Sequence, residues 1–156
     1  MMHAIRRFLR RYRGKLLHIY LEEYAGWVTR NLPGPEGMAA RALTCRMLFK
    51  RVGGAVLIYP GAHLTHTYGI EVGRNFSVNS GALLDGRGGL VIGDWVMIGP
   101  HAVLASSEHQ VTPLGMPMAS VDHIMKPLQV GNDVWIGAHA FVRGGLSAHD
   151  PQQGGF

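Results

Sequence analysis

From Val56 onward one feature constrains the chain more than any other: aliphatic residues return every six positions. Ile58, Leu64 and Ile70 are six apart, as are Val72, Val78 and Leu84, then Ile92, Ile98 and Leu104, then Val130, Ile136 and Val142. Only three shifts interrupt the phase: two residues at Ile70/Val72, two extra around Gly86 to Gly89, and a large insertion between Leu104 and Val130. Glycine follows the aliphatic residue in Val72-Gly73, Ile92-Gly93, Ile98-Gly99, Val130-Gly131 and Ile136-Gly137. A six-residue period suits neither a 3.6-residue helix nor a heptad. It suits short parallel strands joined by tight corners, three to a coil, each sending one aliphatic side chain inward. Stacked coils then pair their backbones with the coil above and below, and the inward residues form a ladder. An antiparallel sandwich would need alternation at period two, which is weak here. The repeat alone leaves the handedness of the coil open, and the usual right-handed crossover rule speaks against a left-handed one.

The first 51 residues obey a different pattern. Ile5, Phe8, Leu9, Tyr12, Leu16, Ile19 and Tyr20 recur at three- and four-residue steps, with Arg6, Arg7, Arg10 and Arg13 on much of the opposite face. That is a basic amphipathic helix. It is expected to end at Leu32-Pro-Gly-Pro35, with a second helix through Met38, Leu43, Met47, Leu48 and Phe49 stopped by Gly53 and Gly54. Residues 1–51 hold eleven basic and three acidic residues, whereas the rest holds four basic and seven acidic, so the net charge of +5 belongs to the front third. Such a helix either packs on the prism with its arginines in solvent or lies on an anionic membrane. The basic residues do not sit in a nucleic-acid reading motif, so no nucleic acid partner is expected.

Composition closes off other classes. The 22 glycines, about double the ordinary share, are spread along the chain as corners require. Cys45 is the only cysteine, which excludes an internal disulfide and a thiolate zinc site and reads as a small buried apolar residue. The longest uncharged stretch, Val52 to Ile70, contains Pro60, His63 and His66 and is no membrane span. The N-terminus lacks the apolar run and cleavage site of a secretory signal, so a cytoplasmic protein is expected, with contact at the inner face of the membrane as the role open to the basic helix.

Three runs carry a resemblance: Val72-Gly-Arg-Asn-Phe-Ser-Val-Asn79, Ile92-Gly-Asp-Trp-Val-Met-Ile-Gly-Pro100 and Val130-Gly-Asn-Asp-Val-Trp-Ile-Gly-Ala138. Their order and spacing resemble the hexapeptide-repeat acyltransferases, in particular the galactoside and maltose O-acetyltransferase branch. The resemblance implies an all-β core folded as a left-handed parallel β-helix, a homotrimer with active sites between subunits, and acetyl-CoA as acyl donor with no metal. It places His109, in Ser106-Ser-Glu-His109, at the family's catalytic histidine. A neutral imidazole there can take a proton from an acceptor hydroxyl, and Glu108 is a candidate to orient the ring. Asn79 matches the asparagine that stabilises the oxyanion. Asp85, offset by one residue, and Thr65 fall near the acceptor-binding positions. Trp135, Gly137 and Ala138 match the strand bordering the donor channel, although Trp135 also suits a subunit interface. His101 and His139 read as corner or interface residues.

The expected division is a basic helical extension over 1–54, a β-helix over 55–142 with an inserted loop at 105–128, and an irregular tail over 143–156. Relatives continue the repeat beyond the Val142 position, so the resemblance also implies a shortened C-terminus that lacks the last donor-binding elements. The function implied is transfer of an acetyl or similar group from acetyl-CoA to a hydroxyl of a sugar or polysaccharide precursor. The alternatives are a non-catalytic β-helix scaffold and a γ-carbonic-anhydrase-like metalloenzyme. The latter needs two histidines four residues apart plus a third, and this sequence lacks that pattern.

Overall fold

The computed structural model describes residues 12–111, 115–145 and 147–148. Two helices, α1 (Leu16–Thr29) and α2 (Gly34–Leu48), precede a triangular prism of short parallel strands. The first face stacks Arg51–Val52, Ile70–Val72, Leu90–Ile92, Leu128–Val130 and Ser147–Ala148. The second stacks Val56–Ile58, Phe76–Val78, Met97–Ile98 and Trp135–Ile136. The third stacks His63–Thr65, Leu83–Asp85, Val103–Ala105 and Phe141–Arg143.

Register explains the phase shifts. Arg51 pairs with Glu71, Val56 with Phe76 and Leu83 with Val103, so one coil takes 20 residues rather than three sixes. The extra two arise on the first face, whose strands bury both ends: Ile70 with Val72, Leu90 with Ile92, and Leu128 with Val130 all point inward. Across the insertion the spacing becomes 38, as in Met97 to Trp135, and the last pairing, Gln129 to Ser147, spans 18. Each fully buried Ile, Leu, Val or Phe of the ladder contributes about 1.5–3 kcal/mol, with Ile58, Val78, Leu84, Ile98 and Leu104 in line.

The aliphatic–glycine pairs sit where coils touch backbone to backbone. A Cβ on Gly99 would lie 2.7 Å from the amide nitrogen of Ala138 in the next coil, so any side chain there would push the coils apart. The corner between second and third faces repeats one turn: Tyr59-Pro-Gly-Ala62, Asn79-Ser-Gly-Ala82, Gly99-Pro-His-Ala102 and Gly137-Ala-His-Ala140. In each the fourth amide bonds the first carbonyl at 3.3–3.4 Å, and the third residue has positive φ: Gly61, Gly81, His101 and His139. That is the turn in which proline suits the second place and a left-handed residue the third.

The helices lie at the first-coil end. Cys45 of α2 and Phe49, which caps it, join the core, Leu48 is buried beside them, and burial pushes the Cys45 thiol up to about 12. Arg41 is buried and ties three segments together: its Nε donates to the Ile58 carbonyl (2.8 Å), and Nη1 donates to the carbonyls of Thr29 (3.0 Å) and Leu32 (2.7 Å). A cation there satisfies carbonyls that the end of α1 leaves without intrahelical partners.

Several sequence expectations are corrected here. The prism begins at Arg51, inside the stretch expected to be helical extension, and α2 stops at Leu48, before Gly53. The buried side of α2 is Gly37, Arg41, Cys45 and Leu48, while Leu43 and Met47 face outward. Of the apolar stripe expected on the first helix, Ile5, Phe8 and Leu9 lie outside the described residues. Tyr12 is buried, Leu16 and Ile19 are half-buried, and Tyr20 is exposed. What α1 turns inward is the carboxylate of Glu22, which accepts from the His66 amide (2.8 Å), the Thr67 amide (2.6 Å) and the Thr67 hydroxyl (2.7 Å). A buried carboxylate is tolerable only with such donors. Its consequence is an outward stripe of Leu17, Tyr20, Leu21, Tyr24, Trp27 and Val28. The inserted segment is no plain loop either: Ser107–His109 pairs antiparallel with His123–Met125. In the tail expected to be irregular, Arg143 closes a strand and Ser147–Ala148 pairs with Gln129–Val130 to open another turn.

Candidate active site

His109 ends the outgoing strand of the ribbon that leaves the corner between third and first faces. Three residues before it anchor that strand. Ser106, fully buried, donates from Oγ to the Asp85 carbonyl (2.6 Å) and accepts from the Gly88 amide (2.8 Å). Ser107 donates to Asp85 Oδ2 (3.0 Å). Glu108 receives Lys126 Nζ (2.6 Å) from the return side of the ribbon and Arg143 Nη1 (3.3 Å) from the coil above. The Lys126 hydrogen bond is the main reason the Glu108 carboxyl sits below its ordinary pKa. His109 itself is exposed. Strand geometry speaks against the orienting role considered for Glu108, since neighbours in a strand point to opposite sides. The residue against the imidazole is His123, directly across the ribbon, with ring centroids 4.0 Å apart and planes tilted by 41°.

Below the ribbon, Asp85 is a hub. Its Oδ1 receives His66 Nδ1 (2.7 Å), the Arg87 amide (3.0 Å) and, more distantly, the Thr65 hydroxyl (3.4 Å). Burial pushes this carboxyl up, but the bonds from His66, the Arg87 amide and Ser107 outweigh it and hold the group below its ordinary value. His66 also meets the Tyr12 hydroxyl (3.2 Å), and the Tyr12 ring stacks on it. The N-terminal segment thereby closes this corner. Thr65 and Asp85 are register partners, so the two residues assigned to the acceptor do meet.

The other assigned residues collect at the opposite corner. Asn79 opens the Asn79–Ala82 turn, and its side-chain oxygen accepts from the Ser80 amide (2.9 Å). Since the donor is a backbone N–H, the accepting atom is the oxygen, and the Nδ2 end is left as donor. Gly137 and Ala138 occupy the same turn two coils on, and Trp135 projects from the adjoining strand, 73% exposed. His101 and His139 stack along this corner, centroids 5.1 Å apart and nearly parallel. A Cβ on Gly81 would run into the His101 ring, so the glycine beneath makes room for the stack. The two corners are separated by the width of the third face, about 16 Å for five residues at about 3.3 Å each. Within one chain, then, His109, Asp85 and Thr65 form one group, and Asn79, Trp135, Gly137 and Ala138 another. Among the described residues no three of His, Cys, Asp and Glu converge to hold a metal ion.

Comparison with known proteins places the whole fold beside acetyltransferases. Over 117 residues the chain is 27% identical to galactoside O-acetyltransferase of Escherichia coli (strain K12), covering 74% of this chain and 56% of the relative. It is 30% identical over 101 residues to a protein of Dictyostelium discoideum that is named as an acetyltransferase, covering 65% of this chain and 52% of that one. Among solved structures, a maltose O-acetyltransferase from Clostridium difficile superposes with a TM-score of 0.70 at 25% identity, over 87% of this chain and 73% of that one. The chain is similar to the hexapeptide-repeat acetyltransferases, and among them to galactoside and maltose O-acetyltransferases. The superposition shows its fold, the left-handed parallel β-helix. The same fold appears in a galactoside acetyltransferase complexed with coenzyme A, with a TM-score of 0.77 at 24% identity, over 88% of this chain and 68% of that one. No family model matches the chain. The chain spans about half the length of the curated relatives it matches.

Sequence reasoning missed His66, Glu22 and His123. For His66 a signal existed: a non-glycine residue just after the repeat strand His63–Thr65, where a corner with positive φ tolerates histidine. For Glu22 and His123 no local signal existed, because each meets a partner from a distant segment.

Proposed function

We propose that this chain transfers an acetyl group from acetyl-CoA to a hydroxyl of a sugar or polysaccharide precursor, with His109 as general base. The observation that carries the reading is an exposed imidazole on a ribbon whose base is bonded to Asp85 at two points and to the Gly88 amide at a third. Ser107 and His109, two apart on one strand, share a side of the ribbon. An acceptor lying beside Asp85 and Thr65 would bring a hydroxyl to His109. The acceptor oxygen attacks the thioester carbonyl as its proton passes to the imidazole. The tetrahedral oxyanion is met by Asn79 Nδ2. On collapse the C–S bond breaks, and the departing thiolate takes the proton back from the imidazolium, leaving an O-acetyl ester and coenzyme A thiol.

Because Asn79 and the Trp135–Ala138 segment lie across the third face from His109, the complete site needs the bare corner of a second copy, as in a homotrimer. Acetyl-CoA would then lie along Trp135, Gly137 and Ala138 at that junction. The solved galactoside acetyltransferase with coenzyme A and a Vibrio cholerae hexapeptide-repeat acetyltransferase with acetyl coenzyme A support the donor assignment. The test is thiol release from acetyl-CoA with a panel of sugar acceptors, comparing the chain with His109→Ala. Acceptor-dependent release that the substitution abolishes supports the reading. Absence of release, together with no acetyl-CoA binding by calorimetry, favours a scaffold.

No helix among the described residues is long and apolar enough to cross a membrane. The outward stripe of α1, with Trp27 79% exposed among tyrosines and leucines, suits a membrane surface instead. Arg6, Arg7, Arg10, Arg11, Arg13 and Lys15 precede it, and such residues each add about 1 kcal/mol near anionic lipid. We assign the protein to the cytoplasmic side with this contact. Co-sedimentation with phosphatidylserine vesicles but not neutral ones, lost in Trp27→Glu, is the expected result.

A further inference from the structure

The base at the tip of the ribbon has one ring for a neighbour, and nothing in the family assignment accounts for it. His109 and His123 are opposed residues of a two-stranded antiparallel ribbon. In such a pair the side chains leave the same side of the ribbon about 4.5–5.5 Å apart at Cβ. Here the rings touch, at 4.0 Å between centroids. The alternation that brings them together takes Glu108 to the other side, where it is held by Lys126 and Arg143. Glu108 fixes the ribbon to the prism, and the ring contact acts on the imidazole.

We propose that His123 is the positioning residue of His109: it lies against one flank of the imidazole and restricts the rotamers through which the ring would otherwise swing. This rests on His109 being the general base. An exposed histidine on a ribbon tip samples several staggered χ1 wells, and a base must reach the acceptor hydroxyl at hydrogen-bond distance in one of them. A flat neighbour across the strand removes some of those wells without using either nitrogen of His109. The effect should therefore fall on turnover and not on donor binding, since displacement by about 1 Å can cost on the order of a hundredfold in rate. Contact by ring face also predicts that an aromatic without nitrogen can replace His123.

The experiment uses the full chain with His123→Ala, His123→Phe and Glu108→Gln. Two readouts are taken: the ring carbon and nitrogen signals of His109 by NMR, assigned through His109→Ala, and kcat with KM for acetyl-CoA. The expected result is that His123→Ala shifts the His109 ring signals and lowers kcat by about tenfold or more, with KM for acetyl-CoA little changed, while His123→Phe restores most of the rate. Unmoved His109 signals in His123→Ala would overturn the proposal. So would equal loss in His123→Ala and His123→Phe, which would make the His123 nitrogens the active feature. If the wild type transfers no acetyl group, the base assignment fails on its own, and the ring signals still decide whether His123 holds His109.

Discussion

Two corners of the prism have opposite characters. The corner between third and first faces is completed by its own chain: Glu22 and Tyr12 reach it from the N-terminal segment, Asp85 gathers His66, Arg87 and Ser107, and the ribbon is pinned over it. The corner between second and third faces meets α1 only at its first coil, where the Gly61 amide donates to the Arg30 carbonyl, and above that coil none of the described residues from another segment covers it. There the His101–His139 stack runs along it, and exposed Met97, Trp135 and Phe141 flank it. Both corners grow from the same repeat. The difference comes from what is spliced into them: a helical extension and a ribbon at one, tight four-residue turns at the other. A closed polar corner holds the His109 ribbon in place, while an apolar-edged corner offers area to another surface. In the proposed site each needs the other, supplied by a different copy.

The sharpest way to break this comparison is to damage each corner alone. Trp135→Glu at the bare corner is expected to convert the assembly to monomers by light scattering and to abolish transfer, with the circular dichroism of the prism retained. His109→Ala at the closed corner is expected to lower kcat by about 10²–10⁴ with the assembly intact. If Trp135→Glu leaves both mass and rate unchanged, the bare corner is not the interface.

Asp85 sharpens the contrast in stability. Folding lowers its pKa, so its contribution is complete above the ordinary aspartate value of about 3.9 and is lost as pH falls through the lower folded-state value. Asp85→Asn should cost about 1–3 kcal/mol in urea unfolding near neutral pH and flatten the loss of stability of the wild type below about pH 4. A smaller change, about 1–2 kcal/mol, is expected for Gly81→Ala, which places a methyl at positive φ against the His101 ring. A second substitution, His101→Ala, should recover the part due to contact, and full additivity in that cycle would show that the stack does not lean on Gly81. The smallest effect belongs to Glu108→Gln: faster amide exchange in the ribbon, with the core unchanged.

Much of the prism was legible because its signal is local and repeated. One inward aliphatic every sixth residue and a glycine after it report coil contacts that recur up the stack, so Ile58, Val78, Leu84 and Ile98 could be placed before any coordinates. The two-residue shifts were also visible, although their cause, a face that buries both strand ends, was not. The helical extension read less well. Counting apolar steps from Ile5 to Tyr20 selected a stripe, but Glu22 and Arg41, charged residues that a hydrophobic pattern sends outward, are what α1 and α2 bury. In the site, Asp85 and Thr65 each read as near an acceptor-binding position, and the fold makes them register partners. By sequence Glu108 is either an orienting neighbour of His109 or a plain exposed loop glutamate, and a strand's alternation defeats the first reading.

What this sequence determined alone is the repeat, hence parallel coils with a continuous aliphatic core, a separate basic helical front, and the resemblance to hexapeptide-repeat acyltransferases that the three runs carry. Tertiary structure alone decided which side chains meet: His109 with His123, His66 with Asp85, Glu22 with Thr67, and Asn79 far from His109 within one chain. The reason is one of range. A period is written in every short window, because neighbouring positions share the same corner geometry. A partner brought in from another coil or helix depends on the lengths of all the turns between, and no short window contains them.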